Sequence, residues 1–206
     1  MPARRRVVLL IESSASYGRR CLHGVAKYVC IQRSWSLLHV TGWLWPSVNT
    51  RVLRSWRPDG LIARVEEARL LRTVRELNVP TVDLRGSIRM KGAQLVTTDH
   101  ERVVEMAVEH FTANGFVHLA YCGLPGIDYS DARQAAFVRL ARRPHGTQHV
   151  YGSPRRSAGE RSAGRWRPAD DHRRLVAWLR RLPKPVGVVA CNDLQNRLVL
   201  EACAAA

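Results

Sequence analysis

Val7-Val8-Leu9-Leu10-Ile11, then Glu12-Ser13-Ser14-Ala15-Ser16, then Tyr17–Val29, is the stretch that decides the fold. The first five residues are an unbroken run of β-branched and leucine side chains, the pattern of a strand buried on both faces. The next five are polar or small and read as a turn. In Tyr17–Val29 the apolar residues Cys21, Leu22, Val25, Tyr28 and Val29 recur near helical spacing. Strand, polar turn and helix open a βαβ unit, and Trp35–Val40 reads as the strand that closes it.

The alternation continues outward. Arg51–Trp56 reads as a short helix, Leu61–Ala63 as a strand after the Pro58-Asp59-Gly60 turn, Glu66–Leu77 as a helix and Thr81–Leu84 as a strand. Gln94–Thr97 is a further strand. Asp99 is placed to cap a helix over His100–Asn114, with Gly115 as its stop. Phe116–Cys122 is a strand running into Gly123-Leu124-Pro125-Gly126, and Ser130 or Asp131 starts a helix to about Arg142. His149–Tyr151 is a strand, Pro168–Arg181 a helix, Val186–Ala190 a strand and Asp193–Ala205 a helix. The fold class is α/β, with parallel sheets flanked by helices in two units, 1–115 and 116–206.

Composition narrows the function. The chain has 206 residues, 46% hydrophobic and 24% charged, which excludes a disordered basic tail. Its net charge of +16 suggests nucleic acid. Thirty of the 33 basic residues are Arg, spread from Arg4 to Arg197, and only Lys27, Lys91 and Lys184 are Lys. That spread fits a compositional background better than one DNA-binding face. One dense patch remains: Ser153–Arg181 holds nine Arg and three acids. It reads as a solvated loop and helix face, with a direct nucleic-acid contact as the competing reading. Five cysteines without a CxxC pair argue against a disulfide framework or a structural zinc, and fit the reducing cytoplasm. No run approaches the ~18 apolar residues of a membrane span. There is no GxSxG, GxxxxGK[ST], HExxH or GxGxxG, so neither an enzyme nor a cofactor is expected. Cys122 at its glycine-rich turn is the weak nucleophile candidate.

In open parallel α/β folds, ligands bind beyond the carboxyl ends of the strands. That rule selects Glu12, Ser13, Ser14, Ser16, Tyr17 and Arg19 after the first strand, and Asp83 and Arg85 after Thr81-Val82. It selects Asp128, Tyr129, Ser130 and Arg133 after Cys122, and Asn192 and Asp193 after Ala190. Carboxylates, amides, guanidinium forks and aromatics suit a polyhydroxylated ligand. From these we single out Ser14, Tyr17, Arg19, Asp83, Tyr129, Arg133, Asn192 and Asp193 as ligand-binding candidates. Each has a plainer reading. Ser14 and Asp193 suit turns and helix caps, and Tyr17 and Tyr129 suit packing. Arg133 in the first turn of its helix is mildly unfavourable there, which favours a function.

Several stretches resemble the xylose operon regulator family. They are LLIESSASYGRRCLHGVAKY (Leu9–Tyr28), RPDGLIAR (Arg57–Arg64), VPTVDLRG (Val79–Gly86) and VTTDHERVVEMAVEHFTANGF (Val96–Phe116). AYCGLPGIDYSDARQAAF (Ala120–Phe137) and LPKPVGVVACND (Leu182–Asp193) complete the set, all in the family's order. The resemblance implies a two-lobed, periplasmic-binding-protein-like sensor of LacI type that closes on a sugar, by likeness D-xylose. It also implies a C-terminal AraC-type helix-turn-helix domain. Tyr17, Arg19, Asp83, Arg133, Asn192 and Asp193 fall on family positions that hold the sugar. The chain stops at Ala206, inside what the resemblance implies is the second lobe. An incomplete second lobe and DNA contact only through a domain absent from this chain are therefore the expectations; whether the chain forms a homodimer is left open by the sequence.

Overall fold

The computed structural model describes residues 4–41, 50–66, 68–142, 145–152 and 168–206. Strand β1 (Arg5–Leu10) has its apolar run buried on both faces, with Val8 and Leu10 at 0% exposure and Val7 and Leu9 at 6% and 2%. Val8 and Leu10 join one core with Leu53, Leu61, Leu70 and Val74. Val7, Leu9 and Ile11 join the opposite one, against Cys21, Leu22 and Val25. Two-sided burial is why this strand is a continuous run rather than an alternation.

The N-terminal unit, residues 1–98, is built as β1, α1 (Ser16–Gln32), β2 (Trp35–Val40), α2 (Thr50–Ser55), β3 (Gly60–Ala63), α3 (Ala68–Leu77), β4 (Thr81–Asp83) and β5 (Gln94–Leu95). The strands pair in parallel in the order β2-β1-β3-β4-β5. The chain leaves β1 for one side of the sheet and then crosses to β3 on the other. The β1/β3 boundary is thus the topological switch point, where loops diverge and open a crevice. Gly18 serves that end of the sheet. A Cβ there would stand 1.7 Å from the Glu12 carbonyl oxygen, so only glycine lets α1 turn back this tightly. β5 is shorter than the Gln94–Thr97 reading, because its residues are exposed and pair with β4 alone.

The C-terminal unit, residues 99–206, comprises α4 (His100–Ala113), β6 (His118–Cys122), α5 (Asp128–Leu140), β7 (Gln148–Val150), α6 (Pro168–Arg181), β8 (Val186–Ala190) and α7 (Asp193–Ala204). Its sheet is parallel, in the order β7-β6-β8, so the switch point lies between β6 and β8. The units part at Thr98/Asp99, not at Gly115 as the sequence suggests. The reason is packing: Val104 and Val108 of α4 share a core with Leu119, Tyr121 and Phe137. Asp99 caps α4 as expected, accepting from the Arg102 amide at 2.9 Å. On the other face, Ala120 and Cys122 pack with Leu175, Leu179, Val199 and Ala202.

α5 starts at Asp128, earlier than Ser130 or Asp131. Ser130 is pulled into the helix because its hydroxyl accepts from the Leu124 amide at 2.7 Å and its carbonyl accepts from the Tyr121 hydroxyl at 2.8 Å. Arg133 consequently lies in the second turn, which removes the dipole argument for it. Residues 153–167 of the arginine-rich stretch lie outside the described residues. Among those described, no helix is long and apolar enough to cross a membrane, and no group of three or more His, Cys, Asp or Glu could hold a metal.

Candidate functional site

In the N-terminal unit the β1–α1 loop is braced by its own side chains. Glu12 accepts from the Ser14 amide at 2.8 Å, which holds its carboxyl below the usual carboxylate range. Arg19 is exposed but folds back on the loop, its Nη1 donating to the carbonyls of Ser13 and Ser14 at 2.9 and 2.5 Å. Ser14 and Arg19 thus shape the loop. Tyr17 stands at the start of α1, 39% exposed, its hydroxyl donating to the Leu84 carbonyl at 3.5 Å. The Arg64 guanidinium lies 4.9 Å over its ring.

Arg64 belongs to a further group. Its Nε is 2.8 Å from Glu66 Oε1, and Arg85 Nε approaches the same oxygen at 3.3 Å. Both guanidinium side chains are largely buried, at 17% and 12% exposure, whereas Glu66 keeps 42%. Asp83 departs from its expected role. It is 3% exposed, and its two oxygens accept from the amides of Val65 (3.4 Å), Arg85 (3.0 Å) and Gly86 (2.9 Å). A carboxylate so committed organises the β3 and β4 loops instead of facing outward.

In the C-terminal unit the side chains converge on Arg133. Its Nη1 donates to the Cys191 carbonyl beyond β8, and its Nε to His100 Nδ1 at 3.4 Å. The guanidinium lies 5.5 Å over the Tyr129 ring. His100 stands with its ring 6.4 Å from that of Tyr129. Asn192 donates through Nδ2 to the Tyr129 hydroxyl at 2.7 Å and caps α7 by accepting from the Gln195 amide at 2.8 Å. Tyr129, Arg133 and Asn192 are therefore brought together. Asp193 is exposed in the first turn of α7, where it suits the helix dipole, and these contacts do not include it. Gly123 permits the close approach of the β6–α5 loop, because a Cβ there would meet the Tyr121 ring at 2.5 Å and the Ser130 hydroxyl at 2.6 Å.

Cys122 is buried, with Gln195 Nε2 at 3.3 Å from its sulfur, and burial pushes its thiol up to about 12. A thiol so protonated and covered is no nucleophile. Burial also raises Cys191 and Tyr121. The residues that sequence reasoning missed are Arg64, Glu66 and His100. Arg64 and Glu66 follow β3 at the switch point, which is the one signal that could have found them. His100 reads as the start of a helix, and nothing local announces a partner 33 residues away.

Residues 6–100 match the XylR N-terminal domain, and residues 108–206 match the periplasmic binding protein-like domain. The xylose operon regulatory protein of Escherichia coli K12 is 26% identical over 97% of this chain and 50% of its own length. That of Haemophilus influenzae is 24% identical over 96% of this chain and 51% of its own. A solved structure of a xylose-binding transcription activator, xylR, superposes with a TM-score of 0.78 at 23% identity, covering 99% of this chain and 51% of that one. The parallel sheets, their switch points and these matches show a periplasmic-binding-protein-like α/β fold. Within that fold the chain is similar to the N-terminal domain of XylR and to the xylose operon regulatory proteins. It spans about half the length of the curated relatives it matches.

Proposed function

We propose that this chain is the sugar-sensing part of a transcription regulator, with a pentose, D-xylose first among them, as effector. The observation that carries the reading is the Arg133 group. A guanidinium is fixed at the switch point of the C-terminal sheet by a carbonyl, an imidazole and an aromatic ring, with no carboxylate among those partners. Its remaining N–H groups can donate to sugar oxygens, and Tyr129 offers an apolar ring face beside them. Tyr17 is the corresponding partly exposed aromatic at the strand ends of the N-terminal unit. Asn192 acts by fixing Tyr129, since its amide is engaged on both sides.

Sugar binding then shifts a conformational equilibrium, and a DNA-reading domain outside this chain converts the shift into regulation. The same reading makes the protein non-catalytic and cytoplasmic. Isothermal titration with D-xylose, L-arabinose and D-ribose tests it. Saturable heat with at least one pentose is expected. A folded sample that gives no heat at millimolar sugar overturns the reading.

A further inference from the structure

We infer that Glu66, rather than Asp83, is the carboxylate through which the N-terminal unit accepts sugar hydroxyls. The inference rests on the sugar-sensor reading above. Among the described residues three carboxylates stand at the carboxyl end of this sheet: Glu12 beyond β1, Glu66 beyond β3 and Asp83 at the end of β4. Glu12 accepts from the Ser14 amide of its own loop at 2.8 Å. Asp83 is buried at 3% exposure and answers three backbone amides. Its lone pairs are taken up by the fold. Glu66 is arranged differently. One oxygen, Oε1, sits 2.8 Å from Arg64 Nε and 3.3 Å from Arg85 Nε. The side chain keeps 42% of its surface, so the carboxylate remains open to a further donor.

This is a preorganised acceptor. The two arginines restrict the long side chain, which lowers the entropy that a ligand must remove. A hydroxyl that donates to a carboxylate makes a charge-assisted hydrogen bond. The surroundings suit a sugar as well. Arg64 links Glu66 to Tyr17, whose partly exposed ring lies 4.9 Å below the Arg64 guanidinium. An acceptor next to an aromatic face is the pairing that a pyranose, polar at its rim and apolar across its face, requires. The position agrees with the topology, because β3 borders the switch point and β4 does not.

The test compares the 206-residue chain with its Glu66→Gln variant, by isothermal titration with D-xylose and its 2-, 3- and 4-deoxy analogues. For D-xylose the variant should bind roughly 10- to 100-fold more weakly, the scale of a hydrogen bond to a charged group. For the analogue lacking the hydroxyl that Glu66 accepts, the two proteins should agree within about twofold. That convergence is what a purely structural role would not produce. Equal affinity for D-xylose in both proteins overturns the assignment. So does a loss of the same factor for every analogue. A wild-type chain that binds none of these sugars overturns the sensor reading and the assignment together. Should Glu66→Gln fail to fold, Glu66→Asp serves the same comparison, since it keeps the charge beside the arginines and withdraws the acceptor by one methylene.

Discussion

The two units hold their strand-end arginines with different partners. Both place an aromatic and a guanidinium at the carboxyl ends of parallel strands. In the N-terminal unit the guanidinium groups of Arg64 and Arg85 share a carboxylate, Glu66. In the C-terminal unit Arg133 is held by a carbonyl, an imidazole and a ring. The first arrangement keeps a positive charge, two guanidinium groups against one carboxylate, yet presents an acceptor oxygen. The second presents donors alone. A sugar hydroxyl both donates and accepts, so it can satisfy either set. The difference teaches that the role of an arginine in this fold follows from its partner, not from its place at a strand end.

Removing the donor should break the C-terminal side of this comparison most severely. Arg133→Met is expected to weaken sugar binding by at least about 100-fold, the scale of two hydrogen bonds from a charged group. Arg133→Lys should recover little, because a single ammonium cannot reach the Cys191 carbonyl and a ligand in the fork's geometry. Calorimetry on the three proteins decides it. Affinity in the lysine variant close to wild type would show that charge alone is read.

The next effect falls on stability instead of binding. Asp83→Ala strips a buried acceptor from three amides, and its cost should be about 2–3 kcal/mol in urea unfolding. Glu66→Ala, at a half-exposed position, should cost about 1 kcal/mol or less. The pair separates the carboxylate that builds the loops from the one that faces outward. A larger loss from Glu66 than from Asp83 would reverse the two roles.

These particulars show what a sequence can disclose. Val7–Ile11 announces β1, because burial on two faces leaves a run that no exposed segment tolerates. The Asp99 cap and the Gly115 stop are equally local, and both are present. Strand ends follow from the strands, so Tyr17, Tyr129, Arg133 and Asn192 could be selected. Partnerships could not. Asp83 and Glu66 look alike in sequence, and only the loop geometry shows that amides enclose one of them. Asn192 looks like a ligand until its amide is found holding Tyr129 and capping α7. The unit boundary fails for the same reason, since α4 is assigned by what it packs against and not by its own residues.

A smaller effect concerns how Arg133 is aimed. His100 accepts from Arg133 Nε through Nδ1. Losing that acceptor frees the guanidinium to rotate. His100→Leu should therefore reduce sugar affinity by roughly tenfold. His100→Asn, whose amide oxygen can stand near the Nδ1 position, should restore most of it. Titration of both variants separates aiming from packing, because leucine fills the space and asparagine restores the acceptor. Equal affinity in the two would assign His100 to packing alone.

The smallest effect distinguishes the two loops by acid. In the N-terminal unit the Ser14 amide is held by the Glu12 carboxylate, and that bond lowers the Glu12 pKa. A carboxyl whose folded pKa lies below its unfolded value contributes fully above the ordinary carboxylate range. The contribution is lost as pH falls through the lowered value. The β1–α1 loop should therefore loosen below about pH 4.5, the ordinary value for Glu. In the C-terminal unit the Leu124 amide is held by the Ser130 hydroxyl, which has no proton to gain in that range. Amide chemical shifts followed from pH 6 to pH 3 should move at Ser14 along a carboxylate titration and stay level at Leu124. Glu12→Gln should abolish the movement at Ser14. Its persistence in that variant would assign the acid response to another group and leave the Glu12 bond without the part given to it here.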